Sequence, residues 1–295
     1  MRPTMAEPRF DTISFLSDYG RVDEFVGVVH SVIRTLAPRV RVVDVTHDVP
    51  PHDVRAGGLT LARSVQYLAP GVVLAVVDPA VGTERRGVAV EVGDGAAVLV
   101  GPDNGLLAPA VAMVGGAGRV VELTSPDHRL ATPGAADDGR DVFAPAAAHL
   151  CNGVDLAELG REVDPAGLRP GVLPLPQLED DGLGAEVLWV DRFGNAQLNL
   201  GPDDLDGLGG GDRVGVRVDG RTRSARRVRA FADLVGGELG LVVDSYGLVA
   251  LVLDQRSAAA ELGVGASDAV TLVPLDEGDG REGGATSPVT LRPKG

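Results

Sequence analysis

The chain has 295 residues, of which 44% are hydrophobic but only 3% aromatic, and a formal net charge of −15. That length and apolar content allow two cores built from Val, Leu and Ala in regular layers of sheet and helix. The acidity argues against nucleic-acid backbones and anionic membranes as partners, and a single cysteine, Cys151, excludes an internal disulfide and a cysteine-based zinc site. At the N-terminus, "MRPTMAEPRFDT" lacks the apolar core of a signal peptide, and no apolar run reaches membrane-spanning length. The expectation is a soluble, cytoplasmic protein.

"TISFLSD" (12–18) reads as a buried strand ending in a carboxylate. The helical pattern "DEFVGVVHSVIRTLAP" (23–38) follows, with Val26, Val29, His30 and Ile33 on one stripe. "RVRVVDVT" (39–46) is a second strand, "DVRAGGLTLARSVQYLAP" (53–70) a second helix and "GVVLAVVD" (71–78) a third, continuously apolar strand. This rhythm implies a mostly parallel sheet covered on both faces. "GVAVEVG" and "AAVLVGPD" form a hairpin-like pair around "DG", and "DVFAPAAAHLCNG" (141–153) reads as a helix ending at Asn152-Gly153. Proline-rich "PAGLRPGVLPLPQLEDDG" then breaks the pattern, and short alternating strands follow, such as "GAEVLWVDRFGN", "DRVGVRVDG", "GLVALVLD" and "AVTLVPL". The expected organisation is an α/β domain over residues 1–168, a linker over 169–183, and a small all-β, barrel-like domain over 184–295 whose polar tail after about residue 277 is loose.

In open parallel sheets, ligands bind beyond the carboxyl ends of the strands. Three such ends carry polar residues: Asp18 with Asp23 after the first, Thr46, His47, Asp48, His52 and Asp53 after the second, and Asp78 with Arg85 and Arg86 after the third. Each aspartate alone could cap a helix; three at successive strand ends favour a shared pocket. His30 and His149 fall on apolar helical faces and read as structural, and His128 lies in a polar loop. His47 and His52 lack the partner spacing of a zinc site, so no metal is expected. No dinucleotide fingerprint, Walker loop or nucleophile elbow is present. The pattern alone supports an α/β enzyme acting on a small molecule.

Six ordered blocks, "FLSDYGRVDEFVGVV", "VDVTHDVPPHDVRAG", "VVDPAVGTERR", "GPDNGLL", "GRDVFAPAAAHL" and "VDRFGNAQLN", resemble the S-adenosylmethionine hydroxide adenosyltransferase family, which is related to the fluorinase and chlorinase. The resemblance implies an α/β domain followed by a β-barrel, and a homotrimer with active sites between subunits. Its substrate is S-adenosylmethionine (SAM), attacked at ribose C5′ by water or hydroxide to release L-methionine and adenosine, with no cofactor. By resemblance, Asp18 holds the ribose hydroxyls, Asp23 and Ser245 hold the methionine amine and carboxylate, and His52 lies against the ribose. Asp191, Phe193, Asn195 and Phe231 serve the methionine and adenine ends. Asp78 and Arg85 match the hydroxide-using branch; halogenases carry an aromatic in place of Asp78, and a carboxylate would repel a halide.

One block departs from the family. Where that branch carries Phe-His-Gly-Arg-Asp, this chain has Asp137, Asp138, Gly139, Arg140 and Asp141. Gly139 is expected to leave room beside C5′. Asp138 either takes over the histidine's role, through a raised carboxyl pKa, or only tunes Asp78 and Arg85; a chain that binds SAM without turning it over is the third possibility. The functional alternatives to a hydrolase are a chlorinase-like halogenase and a non-catalytic SAM or adenosine sensor.

Overall fold

The structure, a computed structural model, describes residues 9–131, 134, 136–209 and 211–275; the expected loose tail lies outside the described residues. The chain divides between Leu173 and Pro174 into two compact units. That point falls within 169–183, and part of this stretch, Gln177–Glu179, is a strand.

The first unit contains β1 (Thr12–Ser17), α1 (Phe25–Leu36), β2 (Arg41–Thr46), α2 (Val54–Val65), β3 (Val72–Val76), β4 (Gly87–Val92), β5 (Ala97–Pro102), α3 (Ala108–Met113), β6 (Val120–Leu123), α4 (Ala144–Cys151) and β7 (Gly160–Val163). They form one seven-stranded sheet in the order β2-β1-β3-β5-β4-β6-β7. The β1–β2, β1–β3 and β3–β5 pairings are parallel, and the β4–β5, β4–β6 and β6–β7 pairings antiparallel. The sheet is therefore mixed: its parallel half carries the βαβ units, and the hairpin β4–β5 begins the antiparallel half. The elements α3, β6 and β7 have no counterpart in the sequence reading.

Alternation explains why β1 and β3 are buried throughout, β3 with apolar residues alone and β1 with Thr12, Ser14 and Ser17 among its apolar ones. Ile13, Phe15, Leu74 and Val76 pack with Val29 and Ile33 of α1 and with α4. Leu16, Val73 and Ala75 pack with Leu61 and Val65 of α2 and with α3. Successive side chains leave a strand on opposite faces, and both faces here are covered. β2 is the sheet edge and is half-open to solvent despite its valines. At the head of α2, the Asp53 carboxylate accepts from the Ala56 N–H at 2.9 Å. The helix-capping aspartate is therefore Asp53, and not Asp18, Asp48 or Asp78.

The second unit contains β8 (Gln177–Glu179), β9 (Gly182–Val190), β10 (Ala196–Leu198), α5 (Pro202–Asp206), β11 (Arg213–Val218), β12 (Arg221–Arg227), β13 (Leu239–Val243), β14 (Val249–Leu253), α6 (Ala258–Leu262) and β15 (Ala269–Pro274). The order β10-β14-β13-β12-β11-β15-β9 closes through a β9–β10 pairing into a seven-stranded barrel, with β8 added outside on β9. Closure removes the free edges that an open sheet of this size would present. The interior holds alternate strand residues, among them Val187, Val216, Leu241, Leu251 and Leu272.

Leu74 sits at the centre of the first unit with no solvent exposure. Leu74→Ala should cost about 2–5 kcal/mol of unfolding free energy, measured by denaturant titration; a loss below about 1 kcal/mol would show that the site collapses around the smaller side chain.

Candidate active site

After β3 the chain leaves the sheet at Asp78 and turns back, the Val81 N–H donating to the Asp78 carbonyl and the Thr83 N–H to the Ala80 carbonyl, both at 3.3 Å. The turn returns Arg85 to the same place. Its Nε and Nη2 donate to the two oxygens of Asp78 at 3.1 and 2.5 Å, and Nη2 also donates to Asp138 Oδ2 at 2.6 Å. The Asp78 and Arg85 side chains are only 6% and 7% exposed, and Asp138 is 23% exposed. The guanidinium lies over the Phe143 ring, 5.4 Å from its centroid. One fork thus grips Asp78 through two N–H groups while reaching Asp138, a planar bidentate geometry that a lysine ammonium would not reproduce. Burial lifts the Asp78 carboxyl above its ordinary pKa; Arg85 opposes the rise, and the negative charge of Asp138 adds to it.

Asp138 reaches this position through a π-helical turn, Gly139–Phe143, directly ahead of α4. Pro145 has no N–H to offer the Asp141 carbonyl, which accepts instead from the Leu130 N–H at 2.9 Å. The Ala144 N–H donates five residues back, to Gly139. Such wide turns frequently mark functional positions in helices. The turn also orients the neighbouring acids. Asp137 accepts from the Arg140 N–H at 3.1 Å, and Arg140 grips Asp141 through two bonds of 2.5 and 2.8 Å.

Tyr19 is the residue the sequence reading missed. Its hydroxyl donates to Asp137 Oδ1 at 3.3 Å, and a Cβ built on Gly139 would lie 1.9 Å from that hydroxyl oxygen. The room left by Gly139 is taken by Tyr19. Burial, followed by the negative charges of Asp137, Asp18 and Asp78, keeps the phenol protonated well above its ordinary pKa. The sequence signal was an aromatic between Asp18 and Gly20, but only the fold sets it against residue 139.

Asp18 stands beside this group, its N–H donating to the Val76 carbonyl at 3.3 Å and its Oδ2 accepting from the His52 N–H at 2.8 Å. His52 holds that contact with a left-handed backbone, φ 67°, uncommon for a residue with a side chain. Asp23 is exposed in the segment before α1. Asp48 does not join the first and third strand ends: it is 68% exposed and faces Arg21 at 3.7 Å.

In the second unit, Asp191, Phe193 and Asn195 form one turn between β9 and β10. Asp191 Oδ1 accepts from the Phe193 and Asn195 N–H groups at 2.9 Å, and Oδ2 accepts from Asn195 Nδ2 at 2.7 Å. The turn needs Gly194, which has φ 84° and presses on Ser257. Phe193 is left 77% exposed. Phe231 lies in a short turn after β12, and Ser245 in the exposed turn between β13 and β14, where Asp244 accepts from the Tyr246 N–H at 2.8 Å.

Comparison with known proteins fits both units. The family models for the N-terminal and C-terminal domains of SAM hydroxide adenosyltransferases match residues 13–160 and 185–271. The (R)-S-adenosyl-L-methionine hydrolase of Salinispora tropica is 48% identical over 256 residues, covering 87% of this chain and 95% of that protein. A hydrolase of the same name from Thermus thermophilus is 39% identical over 259 residues, 85% and 95% of the two chains. The fluorinase of an Actinoplanes species is 28% identical over 277 residues, 84% and 91% of the two. The crystal structure of an uncharacterized conserved protein from Thermotoga maritima superposes with a TM-score of 0.82 at 31% identity, covering 88% of this chain and 99% of that one. The chain belongs to the SAM hydroxide adenosyltransferase family.

Proposed function

We propose that this protein hydrolyses S-adenosyl-L-methionine to adenosine and L-methionine. The observation that carries the reading is the buried Asp78–Arg85–Asp138 set at the end of β3, in a chain 48% identical to a SAM hydrolase. A water oxygen attacks ribose C5′ in line with the sulfonium; the C5′–S bond breaks, its electron pair goes to sulfur, and the water proton passes to Asp78. Sulfonium is already a good leaving group, so the protein's task is to align and deprotonate the nucleophile. The reaction as written needs no cofactor. Arg85 orients the Asp78 carboxylate and stabilises the developing hydroxide. Asp138 holds the far side of Arg85 and so tunes Asp78 and Arg85 instead of taking over a histidine's role. Tyr19 braces Asp137 and the turn that carries Asp138.

Asp18 is assigned to the ribose diol, whose two hydroxyls one carboxylate can accept, and its tie to His52 supports this. Asp23 and Ser245 are assigned to the methionine amine and carboxylate, and Asp191, Phe193, Asn195 and Phe231 to the methionine and adenine ends. The exposure of Phe193 and Phe231 supports a homotrimer in which these residues face a neighbouring copy's nucleoside. The proposed compartment is the cytoplasm; no helix among the described residues is long and apolar enough to cross a membrane. A halide nucleophile fits poorly, because two carboxylates would face it.

Turnover in water labelled with heavy oxygen should put the label on the adenosine 5′-oxygen; formation of 5′-chloro-5′-deoxyadenosine with chloride, or binding without turnover, would overturn hydrolysis. Asp78→Asn should lower kcat by at least about 100-fold with little change in KM. Activity requires the ionised base, so in the wild type it falls as pH drops through the Asp78 pKa. That acid limb should lie above the ordinary aspartate value of about 3.9, and a wild-type profile flat down to pH ~4 would remove Asp78 from the base role. Asp138→Ala should lower kcat more than it weakens SAM binding, read by turnover and calorimetry side by side; unchanged turnover would take Asp138 out of the mechanism.

A further inference from the structure

Outside the acidic group, two histidines and an aspartate converge at the open edge of the sheet. His30 comes from α1, Asp44 from the edge strand β2, and His47 from the segment just after β2. His30 Nε2 lies 2.8 Å from Asp44 Oδ1, and His47 Nε2 lies 3.1 Å from the same oxygen. One ligand atom from each of the three residues falls within 4.8 Å of the others, the only such group among the described residues.

His47 makes this more than an ordinary hydrogen-bonded cluster. Its side chain is 1% exposed, and its Nε2 has no hydrogen-bond partner: Asp44 is near but not aligned to accept. A buried ring nitrogen whose neighbouring acceptor, Asp44 Oδ1 at 3.1 Å, is misaligned is less than fully satisfied. The other ring nitrogen, Nδ1, is 2.8 Å from Ser17 Oγ. With Nδ1–H donating to that hydroxyl, the Nε2 lone pair points toward Asp44 and His30. This is the orientation that a second hydrogen bond imposes on a metal-binding histidine.

We propose that His30, Asp44 and His47 bind a divalent ion of the zinc class. Two imidazole nitrogens and one carboxylate oxygen suit zinc and its neighbours, whereas calcium and magnesium prefer oxygen alone. In a tetrahedral site with ligand bonds near 2.0–2.1 Å, adjacent donor atoms lie about 3.3 Å apart. The 2.8 and 3.1 Å separations to Asp44 need only a few tenths of an ångström of opening, and the two histidine nitrogens, within 4.8 Å of each other, would settle to the same spacing on binding. Asp44 and His30 are 37% and 35% exposed, which leaves a water-accessible fourth position and an entry path.

The ion would be structural. The His47 carbonyl accepts from the Gly20 N–H at 2.8 Å, and Ser17 Oγ accepts from the Tyr19 N–H at 3.3 Å. Fixing His47 therefore fixes the segment 17–20, which carries Asp18 and Tyr19. Sequence spacing concealed the site, because its members come from a helix, an edge strand and a loop, and His30 sits on an otherwise apolar stripe.

The test is a zinc titration by calorimetry of the untagged full chain after dialysis against chelator, beside His30→Gln and Asp44→Asn. Both substitutions are at partly exposed positions, and circular dichroism confirms that the variants fold. One saturable site per chain is expected in the wild type, weakened tenfold or more in each variant. Zinc should also raise the wild-type Tm by about 5 °C at a hundredfold excess over Kd, and leave the variants' Tm unchanged. Absence of saturable binding by the wild type, or wild-type affinity in both variants, overturns the proposal. The readout is metal binding, so the result stands whether or not the chain hydrolyses SAM.

Discussion

A buried carboxylate beside a second, half-buried one is costly to ionise unless a cation lies between them, and the candidate site is built around that constraint. Asp78 and Asp138 come from distant parts of the chain, and Arg85 binds both through one guanidinium. Removing the arginine would leave two buried like charges, a more serious loss than a missing surface pair. The same balance leaves the Asp78 pKa raised: burial outweighs Arg85, and Asp138 adds to the rise. A carboxylate in that condition is a better base than an exposed one, yet it still ionises.

The fold serves this constraint in two ways. The parallel half of the sheet brings the ends of β1 and β3 together, so Asp18 and Asp78 start from neighbouring strands. The π-helical turn before α4 then presents Asp138 from the other side, a consequence of Pro145 withholding its N–H from the Asp141 carbonyl. Tyr19 closes the gap over Gly139 and bonds Asp137, coupling the first strand's loop to that turn. Asp137 and Asp138 are thus each held by a partner from elsewhere in the chain, Tyr19 and Arg85.

Much of this was legible in the residues. The unbroken apolar run of β3, beside the largely apolar β1, announced a sheet covered on both faces, because such a strand buries every side chain. The short alternating segments after residue 182 announced an all-β unit. The wider reading failed where local pattern carries no information. β2 reads as a further strand of the covered sheet but lies at its edge, and the valines alone cannot tell the two apart. Asp48 resembles Asp18 and Asp78 in its position after a strand, yet it points to solvent and Arg21. The Asp138 partner could be read only through the resemblance, and not from local pattern, since 53 residues separate it from Arg85.

The sequence by itself determined the α/β unit, the barrel-forming unit and the family, through six ordered blocks whose residue types match a single chemistry. The resemblance also implied a break from the family's pattern at residues 137 and 138. Only the tertiary structure decided what that break means. Hydrogen bonds and buried charges act over a few ångströms in space and ignore distance along the chain. The pairing of Asp138 with Arg85, of Tyr19 with Asp137, and of His30 with Asp44 and His47 therefore existed only once the sheet and its helices had assembled.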